Sequence, residues 1–261
     1  MNRKQKRELR KDKDLVKELY SIIVKYLPKL LDMFNDLTDV RNKSYVSYEM
    51  KTICVTRLFS LLCGLTTMTD ISNKLESDIS IKNISKICGQ ELDELPYWET
   101  IQDVFININT EELRNIQKYI VISLIRSKMF DKYRFQDKFQ LLFDGTGLSN
   151  HNYNLNNNCL KRKHKDGKIS YYKYVLECKL VVGNIVISLD SEFIENKDML
   201  TDKQKQDCEI NAFKRMIKRI KKIILNINLL LLATLYMLLV LSLNYVKNIN
   251  GITYLILNLI N

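Results

Sequence analysis

The chain has 261 residues and a formal net charge of +11, so it can bury the core of one or two domains. The excess of Lys and Arg favours a polyanionic partner, nucleic acid or an anionic membrane, although a soluble protein from an AT-rich genome would share this composition. The six cysteines form no C-x-x-C pair and only two histidines accompany them, which argues against a disulfide framework or a zinc site. No apolar segment follows the basic N-terminus, so we expect no secretory signal and a cytoplasmic location.

The first half of the sequence has the spacing of amphipathic helices. Apolar residues recur at helical intervals over residues 15–34 and 48–65, and residues 68–75 continue the pattern. Residues 3–17 are mostly charged. A solvated run is the commoner outcome for such a segment, and a nucleic-acid arm is the alternative.

A long helix is predicted to begin near residue 110 and to run towards residue 127. Thr110 is the predicted N-cap, and Glu111 and Glu112 fall in the first turn, where negative charge is favourable. A helix-turn-helix over residues 84–107 and ordinary packed helices both fit the pattern upstream.

From residue 139 onwards the apolar period changes from helical to strand-like. Val182-Gly183-Asn184 predicts a tight hairpin turn between two strands. The predicted elements are strands at 139–143, 171–182 and 184–194, a helix at about 202–222, and an apolar strand at Leu229–Ala233.

The first of these strands leads directly into Asp144-Gly145-Thr146-Gly147. The glycines indicate a tight turn at the end of a buried strand. A carboxylate at such a position can bind Mg²⁺ and lie close to a phosphate, but a plain Asp-Gly turn accounts for the same residues. The motif alone therefore leaves two interpretations, a metal-binding catalytic residue or a turn.

A dense basic loop follows the Asp144 motif. Phosphate contacts and a solvated turn around Asp166-Gly167 account for it about equally well. The candidate DNA-binding residues of this basic loop are Lys161, Arg162, Lys163, His164, Lys165 and Lys168.

Three other groups of polar or aromatic residues are interpreted as structural. The basic residues of the predicted helix at 214–222 read as a solvated helix face. Tyr97 and Trp98 read as core anchors rather than base-stacking platforms. The carboxylates Glu192, Glu195 and Asp198 read as solvated edge groups.

The ordered series of motifs resembles the catalytic core of bacterial insertion-sequence transposases of the DDE type. The resemblance covers residues 40 to 233 and includes weaker blocks, RNKSY at 41–45 and LPYWET at 95–100. Its main blocks are DGTGL at 144–148, CLKRKHKDGK at 159–168, YYKYVLECK at 171–179, ISLDSEFIEN at 187–196 and KQDCEINAFKR at 205–215.

The resemblance implies an α+β protein in which residues 1–135 form a helical region that helps to bind transposon ends. Residues 136–233 would form a partial RNase-H-like core of three antiparallel strands, a helix and a fourth strand. Asp144 would be the first catalytic carboxylate, one of three that hold two Mg²⁺ ions for in-line phosphoryl transfer. The implied partners are transposon-end DNA and a second copy of the chain.

The family pattern stops after Ala233. The family continues with an Asp, the second metal ligand, where this chain has Thr234, and residues 234–261 contain no Asp, Glu or Arg. Joining the third base of each codon to the first two bases of the next gives a family-like continuation, in which Asn250-Gly251, for example, allows only Trp or Arg. We infer one lost base at the Ala233 codon and an out-of-frame tail over residues 234–261, with a programmed frameshift as the alternative.

The expected function is therefore that of a transposase copy, truncated and inactive in cleavage and strand transfer. A DNA-binding fragment that competes with intact transposase is an alternative. A small membrane-tethered protein is another, because residues 223–246 are almost entirely apolar and follow a basic segment.

Overall fold

A computed structural model describes residues 15–154, 158–196, 207–223, 229–233 and 252–256. These residues form a mixed α+β protein with eight α-helices and six β-strands. The chain divides into two compact units, residues 1–116 and residues 117–261. The basic run at 3–14, Asp198 and most of the tail at 234–261 lie outside the described residues.

Unit 1 is helical, as the apolar spacing predicts. The predicted helix over residues 15–34 is nevertheless two helices, because Pro28 lacks a backbone N–H and disfavours helical backbone at the residue before it. The helices are α1 (Leu15–Tyr26), α2 (Leu30–Asn35), α3 (Met50–Leu62), α4 (Met68–Asp70), α5 (Asp78–Cys88), α6 (Trp98–Asn107) and α7 (Thr110–Arg126), which continues into unit 2.

Helix α7 is capped by Asn109 rather than by Thr110, so the predicted N-cap is wrong by one residue. The Asn109 side-chain oxygen accepts a hydrogen bond from the Glu111 backbone N–H at 3.0 Å, and Thr110 is already helical. Glu112 lies in the first turn as predicted. Its carboxylate accepts hydrogen bonds from the N–H and the hydroxyl of Thr38 at 2.8 and 2.7 Å, which ties the α2–α3 connection to α7.

The structure does not favour a helix-turn-helix at residues 84–107. Helix α5 ends at Cys88 and is closed by the left-handed backbone of Gly89 (φ 64°), and residues 89–97 separate α5 from α6. A DNA-binding helix-turn-helix has a turn of about three or four residues. Tyr97 is 54% exposed, so its interpretation as a core anchor is also wrong.

Tyr48 makes a contact within unit 1 that has a consequence at high pH. Its hydroxyl donates a hydrogen bond to a Glu94 carboxylate oxygen at 3.2 Å. Burial, together with the negative charge of Glu94, raises the pKa of Tyr48 to about 12.

Unit 2 is built on a mixed sheet. The elements are β1 (Phe139–His151), β2 (Leu160–Lys163), β3 (Ile169–Val182), β4 (Ile185–Ile194), α8 (Glu209–Ile223), β5 (Leu229–Ala233) and β6 (Ile252–Ile256). Strand β1 is flanked by β3, which is antiparallel to it, and by β5, which is parallel to it. Strands β2 and β4 both pair with β3, and β6 pairs in parallel with β5.

The predicted hairpin between the second and third strands is confirmed. Val182 pairs with Ile185, and Gly183 adopts φ 60° in the turn, a conformation that glycine reaches without strain. The sequence did not predict β2, whose residues were interpreted as part of a loop, nor the pairing of Ile252–Ile256 as β6.

The core of unit 2 lies between the sheet and α8. Phe143 of β1 meets Phe213 of α8 edge to face, with ring centroids 4.8 Å apart, and Leu141, Leu176 and Met216 are fully buried around them. Burial of each such side chain contributes about 1.5–3 kcal/mol to folding. The odd-numbered positions of β1 up to Phe143 therefore face α8.

The apolar segment at 223–246 lies largely outside the described residues. Its described portion includes Leu229–Ala233, which is a strand rather than part of a helix. Among the residues that the structure describes, no helix is both long and apolar enough to cross a bilayer.

Candidate functional site

Asp144 lies within β1, not at its end. The strand continues to His151, with a register shift between Gly147 and Ser149, so the predicted tight turn after Phe143 is wrong. Neither Gly145 nor Gly147 has a left-handed φ. The two glycines are therefore strand residues that no left-handed turn requires. The reason for a glycine at either position lies in the side chains that pack against it.

Gly145 provides room for two side chains. A Cβ at this position would lie 2.5 Å from a Glu209 carboxylate oxygen and 2.7 Å from a Tyr174 ring carbon, both far inside van der Waals contact. The Tyr174 hydroxyl also donates a hydrogen bond to the Gly145 carbonyl at 3.0 Å. A Cβ at Gly147 would meet the Tyr174 ring only at 3.8 Å, an ordinary contact.

Glu209 and Tyr174 are site residues that the motif reasoning missed. Glu209 lies in the first turn of α8, where the helix dipole favours a carboxylate. Burial raises the pKa of Tyr174, and the charge of Glu209 raises it further, with a smaller contribution from Asp144. Both residues lie in blocks that carry the family resemblance, which is the signal that could have identified them.

Asp144 itself is exposed and is paired in register with Glu177 of β3. Cross-strand partners point to the same face, so Asp144 and Glu177 share a face opposite to that of Phe143. The Lys179 ammonium lies 2.6 Å from a Glu177 oxygen. This hydrogen bond raises the pKa of Lys179, and the negative charge of Asp144 adds to the effect.

The described residues do not fit the two-metal centre that the resemblance implies. Among them, no group of three or more His, Cys, Asp or Glu side chains is close enough to hold a metal ion. The contacts of Glu209 at this site are with Gly145 and Tyr174. We therefore derive no step of a reaction through Mg²⁺.

The six candidate DNA-binding residues lie on one hairpin and are all exposed. Strand β2 pairs with the start of β3, and the turn is closed by a hydrogen bond from the His164 N–H to the Lys168 carbonyl at 2.8 Å. Alternation along β2 puts Arg162 on one face of the sheet and Lys161 and Lys163 on the other. The hairpin thus presents positive charge on both faces and at its tip, where Lys165 lies.

Arg162 and His164 line a cleft with residues of β1 and β3. The cleft has a volume of about 340 Å³, and we name it the β1–β3 cleft. Its lining residues are Gly147, Leu148, Ser149, Asn150, Arg162, His164, Ser170, Tyr172 and Tyr174.

A charge network joins α8 to β4, and it corrects two predictions made from sequence. Arg215 and Arg219 do not lie on a solvated helix face, because both bind Glu192 and Arg219 also binds Asp190 at 2.8 Å. Glu192 is not a solvated edge carboxylate, since its side chain is only 13% exposed. Arg215 also forms an ion pair with Asp207 at 2.7 Å. The carboxylates of Asp190, Glu192 and Asp207 are therefore engaged in ion pairs with the arginines of α8.

No protein-family model, curated protein or solved structure matches this chain.

Proposed function

We propose that this chain is a DNA-binding protein derived from an insertion-sequence transposase of the DDE type, and that it does not cleave DNA. The observation that carries the proposal is the parallel register of β1 and β5, in which Phe143 pairs with Ala233. Strand β5 thus ends level with the residue before Asp144. The resemblance puts the second acidic residue of the family immediately after this strand, which is the place from which it would meet Asp144.

The order of the strands also supports an RNase-H-like core. Strands β1, β3 and β4 form an antiparallel series, α8 follows β4, and β5 returns in parallel beside β1. That is the succession of three strands, a helix and a fourth strand that the resemblance implies. A crossover between parallel strands is right-handed in nearly all proteins, and it covers one face of the sheet with the connecting helix.

DNA binding is assigned to the β2–β3 hairpin, which carries the six basic residues named above. Phosphate contacts by exposed Lys and Arg supply affinity without sequence choice, because they release counterions whatever the base sequence is. We therefore expect salt-sensitive and weakly specific binding.

The absence of cleavage follows from the acidic residues. Two metal ions need several carboxylates, and Thr234 stands where the resemblance puts the second of them. A protein that retains the DNA contacts without the chemistry would compete with an intact transposase for the same ends, which is how we propose it acts. The membrane-tethered alternative gains no support from Leu229–Ala233, which is a strand.

The test is duplex binding as a function of salt. Lys163→Gln/Lys165→Gln removes two charges from the hairpin, and Lys214→Gln/Lys218→Gln removes two from α8 as the matched control. If both hairpin lysines contact phosphate, their replacement makes the slope of log K against log salt less negative by about 1.8, since each contact contributes about 0.9 to its magnitude. Equal effects of the two pairs, or no binding at low salt, would overturn the assignment. Metal-dependent nicking that Asp144→Ala abolishes would overturn the claim of inactivity.

A further inference from the structure

The β1–β3 cleft combines flat aromatic surfaces with positive charge. The Tyr172 and Tyr174 rings lie nearly perpendicular, at 86°, with centroids 6.4 Å apart. The Arg162 guanidinium carbon is 5.4 Å from the Tyr172 centroid. This distance lies within the range of cation–π contacts, about 6 Å, and the Arg162 side chain is exposed, so its guanidinium can also bind an anion from solution.

Besides the positive charge of Arg162, the cleft contains polar groups that can form hydrogen bonds with a ligand. The His164 ring Nε2 and the Ser170 hydroxyl are 2.9 Å apart and hydrogen-bonded, and Ser170 is buried, so the imidazole is held at the wall. Asn150 of β1 pairs in register with Tyr172, so its amide lies on the same face of the sheet as the Tyr172 ring and lines the cleft. Such a set can bind a phosphate at one end and the edge of a base at the other.

The cleft is too small for a duplex and large enough for one nucleotide. Its volume of about 340 Å³ lies within the range of sites for single small molecules, which starts at about 300 Å³. A nucleotide in a duplex has both faces of its base covered by neighbours, whereas an unpaired one can stack on an aromatic side chain. The geometry therefore selects an unpaired nucleotide.

We propose that the β1–β3 cleft binds one unpaired nucleotide of a DNA strand, with its base against the Tyr172 and Tyr174 rings and its phosphate at Arg162. The inference rests on the proposed function, because it specifies the part of a DNA substrate that unit 2 recognises beyond the duplex. The cleft borders Gly145, since the Tyr174 hydroxyl donates to the Gly145 carbonyl, whereas the Asp144 side chain lies on the opposite face of the sheet.

The experiment compares two duplexes of the same sequence, one blunt and one with a single unpaired 2-aminopurine nucleotide at its end. Stacking on tyrosine should quench the 2-aminopurine fluorescence, and the protein should bind the overhang duplex more tightly. Stacking is worth about 1–3 kcal/mol per base, so Tyr172→Ala should weaken overhang binding by about 5- to 150-fold and leave blunt binding unchanged. Tyr172→Phe should retain the preference because it keeps the ring.

Two further variants guard against a folding defect in Tyr172→Ala. Arg162→Gln changes an exposed residue and should reduce the overhang preference, whereas Lys163→Gln, on the other face of β2, should weaken both duplexes equally. Tyr171→Ala, next to Tyr172 but on the opposite face of β3, should leave the preference unchanged. Free dAMP should displace the overhang at concentrations at which inorganic phosphate does not.

The outcomes separate this inference from the proposed function. Equal affinity of the wild-type protein for the two duplexes would overturn the cleft assignment and leave duplex binding intact. Displacement by phosphate as effective as by dAMP would likewise overturn it, because the cleft would then be an anion site only. Binding of the overhang without any binding of the blunt duplex would support the cleft and overturn the proposed duplex binding by the hairpin.

Discussion

Replacement of Gly145 by alanine tests whether the glycine beside Asp144 serves close packing. A Cβ there would lie 2.5 Å from a Glu209 oxygen and 2.7 Å from a Tyr174 ring carbon. The Glu209 carboxylate is the far end of a flexible chain and can move away. The Tyr174 ring is stiffer, and its movement would strain or break the 3.0 Å hydrogen bond to the Gly145 carbonyl.

The size of the effect follows from these contacts. Forcing extra volume into a packed site costs about 1–3 kcal/mol, and loss of one hydrogen bond costs about 0.5–1.5 kcal/mol. Replacing glycine by alanine also restricts the unfolded chain, which returns about 0.4–1 kcal/mol where the backbone angles allow alanine. We therefore expect Gly145→Ala to lower the free energy of unfolding by about 1–3 kcal/mol.

Gly147→Ala is the matched control, because its Cβ would meet the Tyr174 ring at an ordinary 3.8 Å. It should be neutral or slightly stabilising. Urea unfolding followed by far-UV circular dichroism measures both variants, with amide exchange of β1 reporting the sheet itself. At a slope of about 2 kcal/mol/M, Gly145→Ala should lower the midpoint by about 0.5–1.5 M.

Equal effects of the two substitutions would refute the packing argument. Gly145→Ala/Glu209→Ala should recover only part of the loss, since the Tyr174 clash remains. Full recovery would show that Glu209, rather than the tyrosine ring, is the rigid neighbour.

Three other predictions follow from the structure and the sequence. Arg219→Ala removes the ion pairs with Asp190 and Glu192 of β4 and should destabilise unit 2 by about 2–4 kcal/mol. The exposed neighbour Lys218→Ala should stay within about 0.5 kcal/mol in the same urea assay, and similar values would contradict a structural role for the network. Because the folded-state pKa of Tyr48 is raised to about 12, its contribution to stability is present below pH 10 and is lost as the pH rises from 10 towards 12. Tyr48→Phe should flatten that decline in unfolding followed by tryptophan fluorescence, and an unchanged pH profile would count against it. Finally, restoring one base at the Ala233 codon should replace Thr234 by Asp and open a family-like frame in the genomic DNA; a stop within a few codons would reject the frameshift.

Part of this architecture is readable from local sequence. The strand-like runs of β3 and β4, with Gly183 between them, specify a hairpin that needs no distant information. The apolar run Leu229–Ala233 predicts a strand, and the glutamates after residue 110 mark the start of α7. Pro28 is an equally local signal for the break between α1 and α2. The apolar residues on both sides of Pro28 keep a helical spacing, however, and that spacing predicted one continuous helix.

Other features depend on which segments pair or pack together in the folded protein. The basic residues of β2 have no apolar alternation, so only their pairing with β3 makes them a strand. From the sequence, the basic side chains of α8 could be either solvated or ion-paired. The position of β4 beside α8 brings carboxylates to Arg215 and Arg219 and so decides that these two are ion-paired.

The candidate site likewise combines features that the sequence predicts with features that only the tertiary structure shows. The sequence by itself made Asp144 and the basic loop candidate site residues, through residue types and motif order. Only the tertiary structure decided that β1 continues past Asp144, that Gly145 makes room for Glu209 and Tyr174, and that Arg162 and His164 share a cleft with Tyr172. The contacts of Gly145 join residues far apart in the chain, and local propensity carries no information about which distant side chain fills a given space.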